Sequence, residues 1–168
     1  MNIVIILGSS RTNGETGQIV NQLQNITKWD VIDLNDYNIN NYDYEHKNKN
    51  DDYLTLMRRI INKYDVFIFA TPVYWYAMSG KMKTFFDRFT DLLDDEKELG
   101  RKLRTKSMAA ISSSQGSNLG DGFWLPFSNS AEYLGMKYLG NTHFVTGQNE
   151  KENMTYFIDL INKSTKAT

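Results

Sequence analysis

The chain has 168 residues, 40 % apolar and 23 % charged, with 19 basic and 20 acidic side chains and a net charge of −1. That composition suits one soluble globular domain with a sizeable core, here expected to run over residues 1–168. The balanced charge argues against a general nucleic-acid binder and against an acidic electron carrier that docks through charge. There is no cysteine, which excludes disulfides, thiolate catalysis, iron–sulfur ligation and cysteine-based zinc sites.

The chain opens on Ile3-Val4-Ile5-Ile6-Leu7, an apolar run without alternation, which reads as a strand buried on both faces in a parallel sheet. The run is too short for a membrane span or a signal h-region, so a cytoplasmic protein without membrane contact is expected. It stops in Gly8-Ser9-Ser10-Arg11-Thr12-Asn13-Gly14-Glu15-Thr16-Gly17, and a helical pattern follows at Ile19, Val20, Leu23 and Ile26. Strand, small-residue loop and helix together form a phosphate-holding geometry: amides and the helix N-terminus face the anion, hydroxyls add donors and Arg11 adds charge. The loop is neither a Walker A loop nor a Gly-x-Gly-x-x-Gly fingerprint, and Ser9, Ser10, Thr12 and Thr16 suit a lone terminal phosphate. The plainer alternative is a turn with Ser/Thr capping the helix.

Strands and helices then alternate. Lys28 to Leu34 reads as a short second strand, Asn35 to Asn50 as an exposed aperiodic loop, and Leu54, Met57, Ile60 and Ile61 as one face of a second helix. Tyr64 to Ala70 is a third apolar strand. Ser79 caps a third helix carrying Met82, Phe85, Phe86, Phe89, Leu92 and Leu93. Met108 to Ile111 is a fourth strand, about Phe123 to Leu134 a fourth helix, Lys137 to Thr146 the fifth strand, and Met154, Phe157, Ile158 and Ile161 share one face of the last helix. Five strands alternating with helices imply an α/β, doubly wound parallel sheet in three layers, whose ligands bind beyond the carboxyl ends of the strands.

Two further loops lie at that edge. Thr71-Pro72-Val73-Tyr74-Trp75-Tyr76-Ala77-Met78-Ser79-Gly80 carries three consecutive aromatics. They suit a planar ligand; the alternatives are a filled apolar gap or an oligomer interface. Ser112-Ser113-Ser114-Gln115-Gly116-Ser117 is a small-residue loop able to bring backbone close to a ring. A phosphate at the first loop, a ring at the second and a closing third loop outline flavin mononucleotide (FMN).

His46 and His143 do not form a metal site, and no metal ligand is expected. Asp91, Asp94, Asp95, Glu96 and Glu98 read as a solvated face. Phe123, Trp124 and Phe127 could roof the flavin or pack in a dimer.

The stretch Gly8 to Thr16 resembles the Gly-Ser-x-Arg-x-x-Gly-x-Thr phosphate loop of NADPH-dependent FMN reductases. Thr71-Pro72-Val73-Tyr74-Trp75, with Ser79-Gly80-Lys81-Met82-Lys83 and Phe86-Asp87-Arg88, resembles that family's second motif. The resemblance implies a flavodoxin-like fold with strand order 2-1-3-4-5, noncovalent FMN, a homodimer or homotetramer, and reduction of flavins, quinones, azo dyes or nitroaromatics by NADPH or NADH. It further implies that Ser9, Arg11 and Thr16 contact the phosphate, with Ser10, Asn13, Gly14, Glu15 and Gly17 supplying backbone. Pro72, Val73, Tyr74 and Trp75 would line the ribityl chain and ring, with Ser79 in the same motif, and Ser112, Ser113 and Gly116 would face the pyrimidine edge. The sequence departs from the family at Glu15, whose side chain is expected to point outward, away from a phosphate. The cofactor carries the difficult step, so no catalytic residue is assigned, and ping-pong kinetics follow from two substrates using one flavin face. The other function classes are a flavodoxin-like electron carrier, which would normally show an arginine-free Thr-x-Thr-x-Thr-Gly loop, and a noncatalytic FMN-binding protein.

Overall fold

The computed structural model describes residues 1–117 and 119–166. A parallel sheet is built from β1 (Ile3–Leu7), β2 (Asp30–Asp33), β3 (Val66–Tyr74), β5 (Ser107–Ser114) and β6 (Lys137–Val145), in the order β2-β1-β3-β5-β6. The two-residue β4 (Ala77–Met78) pairs antiparallel with the end of β3. With this hairpin strand set aside, the five long strands follow the expected 2-1-3-4-5 order.

Successive side chains of a strand face opposite layers. On one side Val4, Ile6, Phe67, Phe69, Met108 and Ala110 pack under α2 (Tyr53–Lys63), α3 (Gly80–Asp87), α4 (Phe89–Asp94) and α6 (Leu125–Tyr133). On the other, Ile5, Leu7, Val66, Ile68, Ala109 and Ile111 pack under α1 (Glu15–Thr27) and α7 (Glu150–Lys166). Helices cover both faces, and for that reason the strands read as unbroken apolar runs.

Several expected boundaries shift. The second strand begins at Asp30, because Lys28 takes the left-handed conformation that ends α1. β3 and β5 run past Ala70 and Ile111 to Tyr74 and Ser114, so Ser112 and Ser113 lie within a strand rather than a loop. The third helix breaks at Arg88, and α5 (Lys97–Arg101) follows α4. Ser79 does cap α3, accepting from the Met82 amide at 3.0 Å.

The break has a cause. Arg88, 1 % exposed, binds Asp91 across the interruption at 2.7 Å and Asp51 at 2.6 Å. It also donates to the carbonyls of Asn40 and Asn48 and stacks on Tyr53. The aperiodic segment after β2 is thereby clipped onto α3 and α4. Asp91 is a buried ion-pair partner, which corrects its expected place on a solvated face. His46 is likewise half-buried, its Nδ1 3.2 Å from the Asp95 carboxylate. Phe123 and Phe127 are core residues, and no described helix is long and apolar enough to cross a membrane.

Candidate functional site

The first loop leaves β1 at Gly8, whose amide donates to Ala70 O at 2.8 Å and whose carbonyl accepts from Ser79 Oγ. A Cβ at Gly8 would stand 2.7 Å from Met82 Cε, so this turn packs directly on α3. The loop then folds over the first turn of α1. A Cβ on Gly17 would meet Thr12 O at 1.8 Å, and that contact explains the glycine. Asn35 braces the loop from outside, donating to Ser9 O at 2.9 Å.

The N-cap of α1 is Gly14, which provides no side-chain cap. Among the described residues the amides of Glu15, Thr16 and Gly17 find no protein acceptor; the first turn-closing bond runs from Gln18 to Gly14 O. Arg11 stands beside them, exposed and without a carboxylate partner among the described residues. A cation at the positive end of a helix dipole is unfavourably placed unless an anion joins it. The free amides, the unpaired guanidinium and the buried Ser9 and Thr16 hydroxyls together fit a phosphate.

A cavity of about 240 Å³ opens here at the carboxyl edge of the sheet. Its floor and one wall are Ser9, Arg11, Gly14, Glu15 and Thr16 from the first loop. The second loop adds Pro72, Val73 and Tyr74, and the end of β5 adds Ser113, Ser114 and Gln115. Three contacts join these loops. Thr16 Oγ1 and Ser113 Oγ lie 2.7 Å apart, Gln115 Nε2 donates to Glu15 Oε1 at 2.8 Å, and Ser10 Oγ lies 3.4 Å from the Tyr74 hydroxyl. Glu15 therefore turns toward the third loop, half-buried, and not outward as expected.

Of the residues anticipated from sequence, nine line the cavity: Ser9, Arg11, Gly14, Glu15, Thr16, Pro72, Val73, Tyr74 and Ser113. Ser10 reaches Tyr74, and Asn13 is exposed. Ser79 lies buried beneath the loops, engaged with Gly8 and Met82. Trp75 is 95 % exposed at the β3–β4 turn, where it and Tyr76 both adopt the left-handed conformation (φ 50° and 62°). Ser112 faces the opposite side of β5 from Ser113 and meets His143 Nδ1 at 2.8 Å. Sequence reasoning passed over Ser114 and Gln115 as lining residues, and Asn35 and His143 as braces. Strand alternation extended through Ser114 would have separated Ser112 from Ser113.

A larger apolar groove of about 550 Å³ lies elsewhere, between α3–α4 and α6, lined by Phe86, Phe89, Leu93, Leu125, Pro126 and Tyr133 among others. It carries no ionisable side chain other than the Tyr133 phenol. No cluster of metal-ligating side chains occurs among the described residues.

Residues 1–151 match the family model described as NADPH-dependent FMN reductase. A Bacillus subtilis protein described as an NAD(P)H-dependent FMN-containing oxidoreductase is 34 % identical over 101 residues, which are 56 % of this chain and 55 % of that protein. The match thus spans about half the length of this curated relative. Among solved structures, the Trp repressor binding protein from Bacillus subtilis superposes with TM-score 0.69 at 23 % identity, covering 92 % of this chain and 95 % of that one. An FMN-dependent NADH-azoreductase from Bacillus anthracis, solved with FMN, gives 0.66 at 12 % identity over 99 % of both chains. A flavodoxin, WrbA-like protein from Agrobacterium tumefaciens gives 0.63 at 15 % identity over 100 % of both. These structures share the flavodoxin-like fold, and the match over residues 1–151 places the chain in the NADPH-dependent FMN reductase family, whose cofactors are FMN and NAD(P)H.

Proposed function

We propose that this chain binds FMN noncovalently in the cavity at the carboxyl edge of the sheet and passes electrons from NADPH or NADH to a small-molecule acceptor: a flavin, quinone, azo dye or nitroaromatic. The observation that carries this reading is Arg11, without a carboxylate partner among the described residues, beside three amides at the start of α1 that find no protein acceptor among them. An anion is favoured in that arrangement, and a terminal phosphate matches its donors.

In this reading Arg11, Ser9, Thr16 and the amides of Glu15 to Gly17 hold the phosphate. Pro72, Val73 and Tyr74 wall the ribityl chain and ring, and the turn after β5 meets the ring edge. The bound cofactor supplies the two-electron chemistry. The chain orients the rings and excludes water, and no side chain is assigned as acid or base. Because one flavin face serves both substrates in turn, double-reciprocal plots are parallel; intersecting lines would remove the ping-pong scheme. The acting form is a cytoplasmic homodimer or homotetramer, a reading supported by exposed Leu93, Leu125 and Tyr133 around the apolar groove.

The test is the visible spectrum of the purified protein with FMN, followed by anaerobic NADPH. A bound-flavin spectrum that bleaches quickly supports the reductase. A bound flavin that NADPH leaves oxidised favours an electron carrier, and absence of flavin binding removes the site.

A further inference from the structure

His143 lies on the edge strand β6, directly opposite Ser112 of β5. It is half-buried and its ring is fully engaged. Nδ1 lies 2.8 Å from Ser112 Oγ, while Nε2 lies 3.0 Å from Ser114 Oγ and 3.2 Å from Gly116 O. Ser114 Oγ also donates to Gly116 O at 2.7 Å. A carbonyl can only accept, so the Nε2–Gly116 contact requires the proton on Nε2, and Ser112 then donates to Nδ1.

This grip acts on one peptide. In a planar trans peptide the C=O and N–H point in opposite directions. Holding Gly116 O toward His143 and Ser114 aims the Ser117 amide away from them. Among the described residues the amides of Gln115, Gly116 and Ser117 all lack a protein acceptor. The turn after β5 thus offers a run of backbone donors, and the residue fixing their direction sits on the neighbouring strand.

We propose that His143 is a positioning residue: through Ser112, Ser114 and the Gly116 carbonyl it fixes the turn after β5, so that backbone amides meet the acceptor-rich edge of a planar ring. This rests on the FMN reading above and specifies which part of the ligand the turn recognises. The ring edge is common to FMN and riboflavin, whereas the Arg11 loop serves the phosphate alone. His143 therefore governs affinity for both flavins, and Arg11 only for FMN.

The experiment compares wild type, His143→Leu and His143→Gln. Ring ¹⁵N shifts of wild-type His143 report the tautomer, and the carbonyl ¹³C shift of Gly116 reports its grip. Titrations with FMN and riboflavin report function. We expect the Nε2–H tautomer and a Gly116 shift that moves in His143→Leu. His143→Leu should lose about tenfold in affinity for both flavins, as for one oriented hydrogen-bond network. His143→Gln, whose amide can still donate to Gly116 O, should stay within about threefold of wild type, a cost well below one full hydrogen bond. Inorganic phosphate should compete with FMN equally in all three. An Nδ1–H tautomer, an unmoved Gly116 signal, unchanged flavin affinity in His143→Leu, or a loss confined to FMN would each overturn the assignment. If wild type binds neither flavin, the FMN reading falls on its own, and the tautomer and the Gly116 signal still decide what His143 holds.

Discussion

At the scale of single residues the site is a matter of two opposed charges. Arg11 is the cation of the first loop, and Glu15, four residues on, brings a carboxylate into the same cavity. Arg11→Ala should weaken FMN by about 1.5–3 kcal/mol, the worth of a charged hydrogen bond, and leave riboflavin unaffected; a fluorescence titration with both ligands checks this. Glu15→Gln works in the other direction. A carboxylate in the first turn favours the helix, so the ligand-free variant should melt slightly earlier, by the equivalent of about 0.3–1 kcal/mol. The same change removes a repulsion and should tighten FMN binding several-fold, again without effect on riboflavin. The strand–loop–helix geometry of the first loop was legible in the sequence because its signal is local, a run of small and hydroxylated residues between a strand and a helix. The side-chain direction of Glu15 was not, because it depends on Gln115, exactly one hundred residues further along the chain.

At the scale of elements, two features depart from local preference. The β3–β4 hairpin turns through Trp75 and Tyr76, both left-handed, where a two-residue turn of this kind ordinarily takes Asn-Gly. Tyr76→Gly should therefore stabilise the fold by about 1 kcal/mol, read as a raised thermal midpoint. The second feature is the Arg88 clamp. Burial, the largest single influence, opposes ionisation of Asp51, but the hydrogen bond from Arg88, the amides of Asn40 and Tyr53 and the Arg88 charge together outweigh it and hold the carboxyl below its ordinary value. A depressed folded value means that this contribution is fully present above the ordinary carboxylate range near pH 4 and is lost as pH falls through the depressed value. Asp51→Asn should flatten that acid limb in a pH series of denaturant melts. Arg88→Ala, which strands two buried carboxylates, should cost about 3–5 kcal/mol. The helix break at Arg88 could not be read from periodicity: Met82 to Leu93 keeps its apolar spacing across it, and the partner Asp51 lies far away in the chain. The underestimated lengths of β3 and β5 share one origin. Thr71, Pro72 and the serines look like loop residues, yet Thr71 and Pro72 pair with β5, Val73 and Tyr74 with β4, and Ser112 to Ser114 with β6, so both strands continue.

At the scale of the molecule the topology was the most legible part, since alternating strands and helices leave few right-handed parallel arrangements. The position of the candidate cavity followed from the same rule, as three loops leave the carboxyl edge together. What the chain could not reveal is which apolar residues remain outside the core. Leu93, Leu125 and Tyr133 carry the same periodic signal as buried neighbours but stand exposed around the groove beside α6. If that groove meets a second copy, Leu125→Glu should lower the mass seen in sedimentation without altering the circular dichroism of the fold. The clamp also has a consequence for how the molecule meets proteases. The segment from Asn38 to Asp52 is polar, lies outside regular helices and strands, and would by composition be the first stretch cut. Yet Arg88 grips it at Asn40, Asn48 and Asp51, so a protease must wait for one buried guanidinium to release all three. Cleavage in this segment is then a gauge of clamp opening: slow at neutral pH, faster in acid, and immediate once Arg88 is gone.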